Sequence, residues 1–242
     1  MPLRPLYYDT ETTGRSPESD RIVEIAFYDP ILDRTYLSFV NPERPIPAET
    51  TAIHHITDEM VADAPTFKQI TEELIKFCEG ETVLIAHNND AFDMLFLQNE
   101  FKRAEVPFPN WKFLDTLKWA RKYRPDLPNH RLQFLRETYA IPENQAHRAL
   151  DDVIVLSRVF SSMVGDLPFE VIMELITQQS SRNQSNTLLT VMPFGKHQGK
   201  ALADVPIDYL KWMHSSGLLD KPDNSRLKNS IEQLGLLSAS KS

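Results

Sequence analysis

Asp9 and Glu11 flank Thr10 in the run Leu6-Tyr7-Tyr8-Asp9-Thr10-Glu11. Side chains alternate along a strand, so the two carboxylates share one face at roughly 7 Å while Thr10 points the other way. Two acids on one wall repel each other, and their joint ionisation near neutral pH is costly unless a cation lies between them. Hard oxygen donors so arranged suit Mg²⁺ or Mn²⁺. Taken alone, the pair fits better a strand that runs out into the polar turn Thr12-Thr13-Gly14 with both acids solvated. Acids further along the chain decide between these readings.

From about Ala91 the apolar residues recur at helical steps, and Asp93 extends the stripe of Phe96, Leu97, Phe101 and Ala104. Its carboxylate therefore faces the core side. Near His147-Arg148-Ala149-Leu150-Asp151-Asp152 either aspartate is a candidate. Helix periodicity favours Asp152, whose face continues through Leu156, Val159 and Met163, over Asp151, which lines up with Val155, Arg158 and Ser162. Buried acids need partners, and a pair of divalent cations satisfies Asp9, Glu11, Asp93 and Asp152 with one device.

The elements that must position these groups are legible in outline. Leu6 to Asp9, Arg21 to Tyr28 and Thr35 to Val40 read as three strands joined by turns. A helix follows a cap at Thr66, with Ile70, Leu74, Ile75 and Phe77 as its apolar positions. Thr82 to Ala86 is a continuous apolar run, typical of a strand covered on both faces. Lys112 to Asp115 reads as a short fifth strand, Thr116 to Tyr123 and Leu132 to Tyr139 as helices, and Ala149 to Val164 as the last helix of this body. The order predicts an α/β fold, a mixed sheet with helices packed around it. Ser180 to Asn186 is polar and without periodicity, so the domains are expected at 1–178 and 188–242, with 179–187 as linker.

Composition bounds the possibilities. The chain has 242 residues, 41% of them hydrophobic, enough for one substantial core and a small second one. No apolar run approaches bilayer-spanning length, and the first residues lack a signal-peptide core, so a soluble protein is expected. One cysteine, Cys78, excludes an intramolecular disulfide and a multi-cysteine zinc site, consistent with a cytoplasmic location. The formal charge of −8 is uneven: residues 188–242 hold 7 Lys/Arg against 5 Asp/Glu, leaving 19 against 29 for residues 1–187. An acidic body of −10 repels a polyanion, so any grip on nucleic acid should be weak and salt-sensitive.

Asp9-Thr10-Glu11, then His87-Asn88 before Phe92-Asp93, then His147 five residues before Asp152 resemble the three motifs of the DEDDh exonucleases, the DnaQ-like 3′-to-5′ enzymes of the ribonuclease H-like fold. The resemblance covers about residues 6 to 164 and includes Ala52-Ile53-His54-His55-Ile56-Thr57 between the first two motifs. A histidine five before the last aspartate resembles the h subclass, and Arg at position 148 departs from the tyrosine subclass. The step from His87 to Asp93 is one longer than the family pattern, so the Phe92-Asp93 pair is the match, with Asp90 as the rival carboxylate.

The resemblance implies two Mg²⁺ or Mn²⁺ ions, bridged by Asp9 and completed by Glu11 and Asp152, with Asp93 acting directly or through water. It also implies His147 as general base, because an imidazole of ordinary pKa about 6.5 accepts a proton near neutrality. For substrate it implies contacts from Thr10, Thr12, Thr13 and Gly14 to the terminal nucleotide, with Ile53 and His54 against its base and Asn88 and Phe92 lining the same cleft. Gly14, lacking a side chain, would let a sugar approach. Ordinary core or loop roles are the alternative for these positions. The implied activity is release of nucleoside 5′-monophosphates from DNA 3′ ends. RNA trimming, or a non-catalytic nucleic-acid end-binding or adaptor module, are the other readings.

Past residue 188 the pattern Phe194-Gly195-Lys196-His197-Gln198-Gly199-Lys200, then Pro206, Tyr209-Leu210 and Trp212, does not fit a phosphate-binding Walker loop. It resembles a small domain that accompanies some members of the family. Its aromatics read as the core of a small fold and its lysines as a solvated turn, the other reading being a nucleic-acid contact. Gln233-Leu234-Gly235-Leu236-Leu237 resembles the peptide by which bacterial replication enzymes dock on the sliding clamp, a helix end being the alternative.

Overall fold

The computed structural model describes residues 3–143, 148–182, 188–193, 195–197, 199–220 and 224–237. The chain forms two compact units, residues 1–174 and 175–242.

In the first unit, β1 (Arg4–Thr12), β2 (Ile22–Asp29), β3 (Arg34–Phe39), β4 (Thr82–Ala86) and β5 (Lys112–Asp115) form one sheet in the order β3-β2-β1-β4-β5. β2 pairs antiparallel with β1 and β3, while β4 pairs parallel with β1 and β5. Every residue of β4 is buried, as its unbroken apolar run requires.

The helices are α1 (Ala48–His54), α2 (Asp58–Val61), α3 (Phe67–Phe77), α4 (Asp93–Ala104), α5 (Thr116–Tyr123), α6 (Leu132–Thr138), α7 (Ala149–Val164) and α8 (Phe169–Arg182). The expected cap at Thr66 is present as a capping box with Gln69. α4 starts two residues later than its periodicity suggests. Asn88 is left-handed (φ 72°), Asn89–Ala91 make a 3₁₀ turn, and Phe92 (φ −140°) breaks the path before Asp93.

α1 and α2 were not expected. α1 buries only His54 and therefore lacks the apolar stripe that periodicity detects. α8 runs to Arg182, into the segment read as linker, because polar residues without periodicity can still extend a helix begun by Phe169 to Leu175.

Alternation along β1 sorts the first unit into two layers. Leu6 and Tyr8 join Ile25, Phe27, Leu74, Phe96 and Phe101 in the main core, on the side of α3 and α4. Tyr7 meets Phe160 of α7 edge-on at 6.4 Å on the other side, where α7 packs against β1 and β2. Asp9 and Glu11 keep step with Tyr7, and Thr10 with Tyr8.

The second unit contains α9 (Ile207–Ser215) and α10 (Ser225–Gln233), and its core gathers Met192, Leu202, Val205, Leu210, Met213, Leu219, Leu227 and Ile231. Tyr209 packs against this core, but Trp212 is 53% exposed, so the expected wholly buried aromatic set does not form. One helical step separates Trp212 from Met213, and Met213 takes the inward position. After α10 the chain turns at Gly235 (φ 64°), and Leu236 and Leu237 pack on the same core. Two leucines of the clamp-like peptide, Leu236 and Leu237, are thus partly buried within the fold, while Leu234 is exposed. Among the described residues no helix is long and apolar enough to cross a membrane.

Candidate active site

Glu11 sits directly across from Glu24 in the β1/β2 register. Glu24 is fully buried, and its charge is met by the Arg148 guanidinium at 2.9 Å and by the backbone N–H of Ala149 at 3.0 Å. Ala149 opens α7, so Glu24 is an anion placed at a helix N-terminus, where backbone donors point outward. β2 therefore holds the start of α7, and one turn into that helix Asp152 is aimed at β1. One carboxylate oxygen from each of Asp9, Glu11 and Asp152 lies within 4.8 Å of the others.

The crowding is visible in the proton affinities. Burial, with the charges of Asp93, Glu11 and Asp152 added, raises the Asp9 pKa well above the ordinary carboxylate range. Glu11 is pushed up to about 8, first by burial and then by Asp152 and Glu24, against a smaller opposing effect of Arg148. Gln133 donates to Asp152 Oδ1 at 3.2 Å.

Asp93 stands outside this triad. It is buried, as expected, but α4 lies on the Thr10 side of the sheet, and Asp93 Oδ1 accepts from the Thr10 amide at 3.1 Å and hydroxyl at 2.8 Å. Burial raises its pKa to about 7, with the Thr10 bonds opposing the rise. The rival Asp90 is turned to the surface and paired with Lys118 at 2.5 Å.

A cleft of about 260 Å³ opens over the triad, lined by Asp9, Thr10, Glu11, Thr12, Gly14, Ile53, His54, Phe92 and Asp152 together with Arg15 and Thr50. Nine residues named from the sequence thus converge. Ile53 is 44% exposed, an apolar side chain offered to the cleft, whereas His54 is buried and its Nδ1 accepts from the Ile56 amide at 3.0 Å. The Phe92 ring packs on Phe96, with centroids 4.8 Å apart.

Thr13 and Asn88 do not line the cleft. Thr13 is buried and closes the turn after β1, its hydroxyl accepting from Arg21 N at 3.0 Å. Asn88 donates its amide to Asp115 at 3.0 Å. His87 is likewise a structural hub, with Nδ1 at 2.9 Å from the Thr116 hydroxyl and Nε2 at 2.8 Å from the His130 carbonyl.

Gly14 lines the cleft, and a Cβ there would lie 2.2 Å from Asp20 Oδ2, so the absent side chain also leaves room for the carboxylate of the following turn. His147 lies outside the described residues. Arg15, Thr50 and Glu24 were missed. Arg15 belongs to the bend after β1 and Thr50 to α1, neither of which carries an apolar period, and Glu24 reveals itself only through strand register.

A mixed sheet in this order, with clustered carboxylates at the end of its central strand, defines a nuclease-type site on a ribonuclease H-like fold. A family model described as Exonuclease matches residues 6–160, and the chain belongs to this family, that of the DnaQ-like exonucleases. A second model, described as Putative quorum-sensing-regulated virulence factor, matches residues 182–224.

The DNA polymerase III subunit epsilon of Treponema pallidum is 36% identical over 165 residues, covering 65% of this chain and 75% of its own. Exonuclease DPD1, chloroplastic/mitochondrial, of Arabidopsis thaliana is 36% identical over 177 residues, covering 66% and 55%. Exonuclease X, solved in complex with 5′ overhanging duplex DNA, is similar in structure, with a TM-score of 0.51 and 28% identity over 66% of this chain and 90% of that one. The match thus spans about half of the plant relative, and 11% of a PolC-type DNA polymerase III from Bacillus cereus.

Proposed function

We infer that the protein is a divalent-metal-dependent 3′-to-5′ exonuclease that releases nucleoside 5′-monophosphates from DNA 3′ ends. The observation carrying this reading is the convergence of Asp9, Glu11 and Asp152, three carboxylates from a strand and a helix, within 4.8 Å of one another. Such a set is strained without a cation, and its hard oxygens fit Mg²⁺ or Mn²⁺, two ions in this reading. When bound, the ions neutralise phosphodiester charge and polarise water.

The chain's own residues do the rest. Asp9, Glu11 and Asp152 would hold the ions, and Glu24 keeps Asp152 in place through the first residue of α7. Asp93 fixes the end of β1 through its two bonds to Thr10. Arg15, exposed at the rim of the cleft, meets a phosphate, and Ile53 lies against the terminal base. The His147 imidazole accepts the proton of the attacking water as the new P–O bond forms, and the bond to the 3′ oxygen breaks with that oxygen taking a proton from solvent. A cytoplasmic location accords with the lone Cys78, a buried thiol.

The test is a panel of 5′-labelled single-stranded DNA, duplex DNA and RNA with Mg²⁺, Mn²⁺ or EDTA. Stepwise shortening of DNA from its 3′ end, absent in EDTA, is expected. Cleavage that persists in EDTA, or that spares DNA and trims RNA, contradicts the reading.

A further inference from the structure

The second unit carries a row of aromatic rings that runs from the edge of its core, at Tyr209, out to the exposed Trp212. Tyr209 and Trp212, one turn apart on α9, lie with ring centroids 5.5 Å apart and planes tilted by 33°. His197 meets Tyr209 edge-on at 4.7 Å, extending the row to three rings. A lone exposed tryptophan needs no explanation, but three rings in series, ending in one that is 53% exposed, form a surface rather than a stray side chain.

The segment that brings His197 to this row is firmly held. Met192 N–H donates to the Lys200 carbonyl at 2.7 Å, Gly199 N–H to the Met192 carbonyl at 2.8 Å, and Leu202 N–H to the Thr190 carbonyl at 2.9 Å. Gly195 is left-handed (φ 79°), and a Cβ there would come within 2.7 Å of the Tyr209 hydroxyl, so the turn lies directly on the ring. Lys196 and Lys200 project from this turn. Both are exposed, and neither has an ion pair among the described residues. The sequence from Phe194 to Lys200 contains those two lysines and no acid. Lys211 adds a third exposed cation on α9, with Asp204 and Asp208 the acids nearby in sequence.

We propose that His197, Tyr209 and Trp212, with Lys196 and Lys200, form a binding surface for single-stranded DNA in the second unit. Aromatic faces stack on unpaired bases, which a duplex hides, and lysines beside them meet the phosphates of the same strand. Complementarity of charge points the same way: residues 188–242 hold 7 Lys/Arg against 5 Asp/Glu, while residues 1–187 hold 19 against 29. A chain whose larger part repels a polyanion gains its hold on one from the part that does not. Stacking itself does not distinguish sugars, and the choice of DNA over RNA rests on the function inferred for the acidic cleft.

The experiment measures binding of the full chain to 5′-fluorescein-labelled oligo-dT in EDTA, so that cleavage does not intervene. Anisotropy and intrinsic fluorescence are followed together, since Trp212 is one of 3 tryptophans and stacking quenches indole emission. Wild type is expected to bind, with quenching, and Trp212→Ala to bind about fivefold or more weakly without it. Lys196→Glu/Lys200→Glu, which leaves the rings in place, is expected to weaken binding and flatten its salt dependence. Circular dichroism of each variant guards against unfolding. Absence of oligo-dT binding by the wild type, or equal affinity and quenching in Trp212→Ala, overturns the proposal. A chain that cleaves DNA yet binds equally with and without Trp212 refutes the surface and leaves the cleft's assignment intact. Binding lost with Trp212 in a chain that cleaves no DNA does the reverse.

Discussion

Asp9 and Asp152 are the residues on which the acidic cleft depends, and removing either charge has two opposed effects. Asp9→Asn or Asp152→Asn is expected to cut the rate of DNA cleavage by about a thousandfold or more, as loss of a ligand at a metal-assisted site implies. The same change relieves repulsion, so in EDTA the melting temperature should rise by about 2–4 °C for each kcal/mol relieved. Differential scanning calorimetry beside a cleavage assay checks both arms, and wild-type turnover in either variant removes that residue from the site.

The titration of the cluster makes a further prediction. An acid that holds its proton more tightly in the folded chain than in the unfolded one favours the fold only while protonated. Glu11 moves from 4.5 to about 8 and Asp93 from 3.8 to about 7. Stability without metal should therefore decline as pH rises from about 4.5 to about 8. Excess Mg²⁺, which binds the ionised carboxylates, should flatten the decline. Melting curves that stay level across that window in EDTA contradict the crowding.

Between elements, the joint that matters is Glu24 with the start of α7. Glu24→Ala strips a fully buried carboxylate from Arg148 and from the Ala149 amide, and should cost about 3–5 kcal/mol, the usual loss on breaking a buried pair. Glu24→Gln keeps an acceptor for the amide and should recover part of the stability. Denaturant unfolding measures both, and a loss within error of zero for Glu24→Ala would show that α7 is held by packing alone.

This joint also marks the limit of what could be read from the chain. Period-two alternation exposed Asp9 and Glu11, and helical period exposed Asp93 and Asp152, because each pattern is local. Glu24 looks like any acid in a strand until the register sets it opposite Glu11. Asp93 was legible as buried, but which side of the sheet its helix would occupy was not, since that depends on how the chain crosses over. α1 escaped notice because a helix that buries a single histidine has no stripe to detect.

Taken whole, the molecule is a polyanion, and so is the substrate inferred for it. Residues 1–187 carry 19 basic against 29 acidic side chains, so the part holding the cleft should release DNA readily between cuts. Digestion of a labelled strand in the presence of excess unlabelled trap should therefore stall after few nucleotides at about 0.15 M salt. Long uninterrupted digestion under trap at that salt would mean that the strand is retained by something stronger than local charge.

Thr10 separates the two acids of β1, and its amide and hydroxyl are both engaged by Asp93 from behind the sheet. The spacing of the acidic oxygens is thereby set in part from the layer of α4, whose Asp93 grips a residue that itself lines the cleft. Magnesium accepts little departure from an octahedron, so it is the ion to suffer first when that rear support is slackened, as in Thr10→Val, while manganese should still sustain turnover. Choice of metal would then depend on a helix that contributes none of the three clustered oxygens.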